Sequence, residues 1–195
     1  MSESVTVAAA MPIAKPRLRA WLRSPATAAS TWAEHEWTGL HASWTGSGTR
    51  RRAEPAAAVQ VCDEWINGDH ARSLPALDED GALALGFDEP TGSLTVDFDA
   101  RVDIRLPGAV WAFTLLRGIT AHMADDDIGL VTVTTDWSAD LAPLCLAPNR
   151  SSFLDPGRDG PAWSNARDME FDVRCAVSAL AGAETAAQAI QRTME

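Results

Sequence analysis

The sequence predicts an α+β fold: a mainly antiparallel sheet of about five or six strands, a buried central helix and additional packed helices in one domain spanning residues 1–195. Three observations carry that expectation. Residues 93–104 place Leu94, Val96, Phe98, Ala100, Val102 and Ile104 on one face and Ser93, Thr95, Asp97, Asp99, Arg101 and Asp103 on the other. Such clean alternation describes a strand buried on one side only, which favours antiparallel pairing. The turn DEPTG joins it to the apolar run 82–88, so the two segments read as a hairpin. Residues 107–123 are apolar around nearly the whole helical circumference, with Arg117 the only fixed charge before His122, and a helix of that kind is buried.

The remaining elements follow in chain order. Val5, Val7, Ala9 and Met11 recur with period two and predict a first strand over 4–11. Leu18, Trp21 and Leu22 at i, i+3 and i+4, with Pro16 in the first turn, predict a short helix ending near Ser24. Ser24 and Pro25 then resemble an N-cap and first helical position, which predicts a second helix over 25–34. Trp37, Leu40 and Trp44 give residues 37–44 β character before the turn Gly46-Ser47-Gly48. Ala58, Cys62 and Trp65 predict a helix over 55–66, stopped by Asn67-Gly68, and the polar stretch after it reads as a surface connection carrying His70.

Residues 128–135 read as a further strand. Periodicity then fades, and 148–168, rich in Pro, Gly, Asn, Asp and Ser, reads as a long loop, a length uncommon without a purpose. Met169, Phe171, Val173, Cys175 and Val177 alternate and predict a strand over 169–177, followed by a helix over 183–193.

Composition bounds the function classes. Sixteen basic residues stand against 27 acidic ones, and the net charge of −11 repels nucleic-acid phosphates and anionic lipid headgroups at long range. Neither nucleic acid nor membrane is therefore an expected partner. The mean hydropathy of −0.10 and the absence of a long apolar run predict a cytoplasmic protein, and the run over 5–13, preceded by Glu3, lacks the positive flank of a signal peptide. Lys15 is the only lysine, alanine is abundant and tyrosine absent, a usage that suggests a GC-rich bacterial source. Cys62, Cys145 and Cys175 are odd in number and widely spaced, so they read as small buried hydrophobes rather than as a metal or redox motif.

No nucleophile elbow, phosphate-binding glycine loop, dinucleotide fingerprint or zinc spacing occurs in the chain, and no cofactor or metal is expected. Weaker constellations exist. Asp97, Asp99 and Asp103 share a strand face, His122 precedes Asp125, Asp126 and Asp127, His35 and His41 lie among tryptophans, and Arg50–Arg52 form the one basic run. Each reads more simply as a solvated face, a turn, core packing and a surface loop, respectively. Tryptophan is the residue that most often anchors an interface, which makes Trp37, Trp44, Phe153 and Trp163 the candidate binding residues. The expected function is a non-enzymatic binding or regulatory role through contacts with another protein, such as an acidic protein that blocks a partner, with homo-oligomerisation through a sheet edge also compatible. The alternative expectation is a small-molecule-binding protein or enzyme with a pocket between the sheet and residues 148–168, in which His122, Asp125, His35 and Cys145 would be the first targets.

Overall fold

A computed structural model describes residues 5–37, 39–40, 55–78, 82–100, 105–136, 142–180 and 184–195. Six antiparallel strands form one sheet in the order β2-β3-β1-β4-β5-β6: β1 (Val5–Pro12), β2 (Leu83–Asp88), β3 (Ser93–Ala100), β4 (Gly129–Thr135), β5 (Leu144–Ala147) and β6 (Arg150–Phe153). Among the described residues these helices accompany them: α1 (Lys15–Arg23), α2 (Pro55–Trp65), α3 (His70–Ser73), α4 (Arg105–Arg117), α5 (Gly160–Ala179) and α6 (Ala186–Met194). The architecture is α+β, as the alternation at β3 and the apolar circumference of α4 predict.

β1 is central because its alternation matches those of both neighbours. Val7 stands opposite Phe98 on one side and Val133 on the other, so three apolar side chains share a row on the inner face. α4 packs across that face, with Trp111 tilted against Phe98 at 5.1 Å between ring centroids. α2 lies against α4, and Cys62 and Thr114 meet between them. α6 closes the β2 end, its start fixed by a capping box in which Thr185 and Gln188 satisfy each other's backbone N–H groups.

Several expectations fail for reasons of tertiary pairing. The second helix over 25–34 is absent: Ala26 N–H donates to the Gly68 carbonyl and His70 N–H to that of Ser24, so this stretch pairs with the chain after α2 and holds only 3-10 turns at Ala29–Thr31 and Glu34–Trp37. Trp37 ends the second of these turns instead of opening a strand; residues 41–44, like His41, Trp44, Arg50–Arg52 and the strand end 101–104 with Asp103, lie outside the described residues. The connection around His70 is not a surface one. Asp69 caps α3 through the Arg72 N–H, and His70 is buried against Trp21.

The largest correction concerns residues 148–177. In place of a loop and a strand, Pro148 and Asn149 make a two-residue hairpin turn between β5 and β6, with Asn149 at φ 57°, a conformation asparagine tolerates. A compact turn follows, in which Asp155 Oδ1 accepts the Gly157 and Arg158 N–H groups and Asp159 Oδ2 accepts that of Asp155. The 20-residue α5 then runs from Gly160 to Ala179. Its inward stripe is Ala166, Met169, Val173 and Val177, spaced by three and four, with Ala166 and Val173 buried and the other two partly so, and it packs on Ala8, Ala10 and Leu130 of the outer sheet face. Phe171 and Cys175, expected to face inward, point to solvent.

Because α5 covers that face, the carboxylates of β3 are not all solvated. Asp97 is half-buried with Oδ1 unpartnered, while Asp99 is exposed. Burial, and then the neighbouring Asp99, hold the Asp97 carboxyl above its ordinary value. An acid raised in the folded state contributes stability below its unfolded pKa and loses it as pH rises through the folded one. Asp97→Asn is therefore expected to raise the urea midpoint at neutral pH, with the gain shrinking toward about pH 3, below the unfolded pKa, where the acid is largely protonated in both states. A lower midpoint for the asparagine variant at pH 7 would mean that the carboxylate has a favourable partner.

Candidate functional site

The sheet ends at β6, and the polypeptide on either side of that edge encloses a cavity of about 500 Å³. One wall is the 3-10 turn carrying His35 and Glu36, with Gly39 just beyond it; the opposite wall is Ser151 to Pro156, Arg158 and Trp163 from β6, the compact turn and the start of α5. Gly39 is required by close approach, since a Cβ there would stand 2.7 Å from the Phe153 Cγ. Phe153 thus seats against the turn and forms the wall nearest the core, with Phe113 at 5.2 Å behind it.

At the inner end lies Arg117, the last residue of α4. It is only 1% exposed. Its guanidinium carbon stands 4.5 Å from the Trp37 ring centroid, 5.1 Å from Trp32 and 5.3 Å from Phe153, three cation–π contacts that partly offset its desolvation. Trp32 meets Trp37 edge to face at 6.3 Å, so the aromatic lining is itself a packed cluster. Arg117 Nη2 donates to the Glu36 carbonyl at 3.1 Å. Burial lowers its pKa to about 10, opposed by the Glu36 carboxylate, which leaves it a cation at neutral pH. Its position at a helix C-terminus also suits a positive charge.

The other charges lining the cavity have local partners. Arg158 makes an ion pair with Asp159 at 3.0 Å, Asp155 accepts backbone N–H groups of its own turn, and Glu36 Oε1 accepts the Ala33 N–H.

Of the four expected binding residues, Phe153 and Trp163 line this cavity together and Trp37 packs behind them, 6.4 Å from Phe153. Trp37 is fully buried, so it can shape a pocket but cannot present itself to a protein partner. Trp44 is outside the described residues. Trp163 is half-buried in the first turn of α5, its N–H donating to the Asp159 carbonyl. His35 also lines the cavity, whereas His122, Asp125 and Cys145 do not. Asp125 lies in an exposed turn in which Asp127 accepts the Ala124 N–H, and Arg17 holds the preceding Met123 carbonyl. Burial raises the Cys145 thiol pKa and pushes that of Cys62 up to about 12, so neither is a ready thiolate. Among the described residues no group of three or more His, Cys, Asp or Glu side chains could hold a metal ion, and no helix is long and apolar enough to cross a membrane.

Arg117, Glu36, Asp155 and Arg158 were not legible as site residues from spacing. A signal for Arg117 did exist. An arginine that is the only fixed charge in the apolar run from 107 to His122 must either pair or serve a ligand, because an unpaired buried cation is costly. The rest converge only through the fold. Comparison of the chain with models of protein families, with curated proteins and with solved structures finds no match.

Proposed function

We propose that this protein binds a small molecule in the cavity between the Glu34–Trp37 turn and the segment from β6 to α5. The observation that carries the reading is convergence: polar groups from three separate elements meet aromatic walls around one concavity of about 500 Å³, a size within the usual range for small-ligand sites. The lining chemistry is that of recognition, with N–H donors, hydroxyls and ring faces available to a bound molecule. Its position supports the same reading, since the cavity sits at the sheet edge where the turn after β6 and the first turn of α5 form the outer rim.

The test is a fragment screen of the full chain by ligand-observed NMR, repeated on Trp163→Ala. Trp163 lies on the rim and is half-exposed, so its truncation is expected to change unfolding free energy by no more than about 1 kcal/mol and to weaken cavity-bound fragments roughly tenfold. Fragments that bind equally well to the variant, or none that bind at all, would remove the pocket from the functional account. A stability loss of about 3–5 kcal/mol would instead mark Trp163 as a core residue that pins the turn.

A second reading, contact with another protein, draws support from Phe171 on α5, 69% exposed, and Ile128 before β4, 53% exposed. Scattered apolar side chains of this kind are common on monomers, which gives the protein-contact reading less support than the cavity has.

A further inference from the structure

We propose that Arg117 is the anion receptor of this cavity and that the ligand is a small carboxylate with an apolar or aromatic body; the proposal rests on the pocket reading above and names its ligand class. A guanidinium carries five N–H donors and remains protonated at any physiological pH. In Arg117 only Nη2 has an acceptor, the Glu36 carbonyl, while Nε and Nη1 have none among the described residues. No carboxylate among the described residues forms an ion pair with it either.

Cation–π contact does not remove this deficit. Trp32, Trp37 and Phe153 attract the positive charge, but a ring is a poor substitute for an oxygen acceptor along the N–H directions. Buried donors left unsatisfied are costly, and because Arg117 itself lines the cavity, an acceptor that arrives with a ligand is the group that could satisfy them. The lining acids are not free to supply it, because Asp155 is committed to the turn before α5 and Glu36 reaches back to the Ala33 N–H. A charged oxygen makes the stronger bond to a cation, which favours an anionic ligand over a neutral one.

The charge count favours a monoanion. A monoanion fits better than a phosphate dianion, because every added negative charge stands beside Asp155 and beside Glu36, whose carboxylate already acts on Arg117, in a chain of net charge −11. The body of the ligand would meet Phe153, Leu154, Pro156 and Trp163, all of which line the cavity and offer apolar or aromatic surface. For a rigid planar body, Trp163 and Phe153 supply ring faces against which it can stack.

The test uses the full chain and three probes: benzoate, its neutral isostere benzamide, and inorganic phosphate. Calorimetry is expected to show benzoate binding roughly tenfold more tightly than benzamide, the margin that a charge-assisted hydrogen bond supports. In ¹⁵N-edited NMR the Arg117 Nε–H resonance should move with benzoate and remain in place with benzamide. Arg117→Met should abolish the preference and leave benzamide affinity within about twofold, as expected when only the charge-assisted contact is lost. Equal affinities in the wild type, an unmoved Arg117 resonance, or a preference that survives in Arg117→Met would each overturn the receptor assignment. Phosphate binding more tightly than benzoate would overturn the carboxylate class. If Arg117→Met does not fold, the resonance shift in the wild-type chain decides the matter. The two proposals fail separately: Trp163-dependent fragments without a benzoate preference leave the pocket and remove the receptor, whereas the absence of any Trp163-dependent fragment removes the pocket itself.

Discussion

Phe98→Asp is expected to leave no stably folded protein at 25 °C. Phe98 is fully buried in β3, stands opposite Val7 of β1 and Leu83 of β2, and packs on Trp111 of α4. Removing a buried phenylalanine side chain costs about 3–5 kcal/mol by itself. An aspartate adds the penalty of an unpaired charge in an apolar layer, or of the proton uptake that neutralises it. The combined loss is comparable with the roughly 5–15 kcal/mol that holds a typical domain together. Asp99→Asn, one position along on the opposite and exposed side, is the matched control and should stay within about 0.5 kcal/mol. Urea unfolding followed by circular dichroism compares the two. A cooperative transition for Phe98→Asp close to that of the wild type would mean that the inner face of β3 has been assigned to the wrong parity.

Gly118→Ala should destabilise the fold by about 1–3 kcal/mol, the usual cost of forcing a methyl group into a packed core. Gly118 opens the 3-10 turn after α4, and a Cβ there would overlap His70 Nε2, stand 3.0 Å from His70 Cε1 and 3.5 Å from Trp21 Nε1. His70 has no room to retreat. Its Nδ1 lies 2.9 Å from the Ser24 carbonyl, its ring packs 5.0 Å from that of Trp21, and it is 1% exposed. The Ser24 contact fits a ring protonated on Nδ1, which directs a bare Nε2 at the glycine. The glycine is therefore explained by approach and not by backbone conformation, and exchange for alanine in an open helix would have been favourable. A double-mutant cycle with His70→Ala isolates the contact, because the alanine at 118 should cost much less once the imidazole is gone. Additive effects of the two substitutions would show that Gly118 and His70 do not touch.

The elements legible in the chain are those whose own periodicity matched a single burial direction. β1 and β3 alternate because one face of each meets α4 and the core, and α4 is apolar all round because it is buried all round. α2 was legible from Ala58, Cys62 and Trp65, since the same stripe meets α4. Residues 169–177 satisfied two periods at once: Met169, Phe171, Val173, Cys175 and Val177 alternate, yet Ala166, Met169, Val173 and Val177 also recur at helical spacing. Only the second set is buried against the sheet or packed on that cluster. A nine-residue window cannot separate these patterns, whereas the whole 20-residue span, from Pro161 in the first turn to Leu180 at the cap, reads as one helix.

The site divides in the same way. Phe153 and Trp163 could be singled out because aromatic residues in a polar, glycine-rich segment demand a reason, and the structure places both in the lining of the cavity. Trp37 was legible as an aromatic and misplaced as an interface anchor, because burial under Trp32, Phe153 and Arg117 depends on the 3-10 turn at Glu34–Trp37, which has no periodic signature. Residue order and elementary side-chain chemistry were sufficient for the α+β class, for the hairpin of β2 with β3, and for the burial of α4, since each of these follows from contacts or faces written within a short stretch. The outer helix α5, the burial of His70 and the meeting of Arg117 with Glu36 and Phe153 were decided by packing between segments dozens of residues apart. No local pattern encodes such a meeting, because the free energy that selects it comes from surfaces that touch only in the tertiary fold.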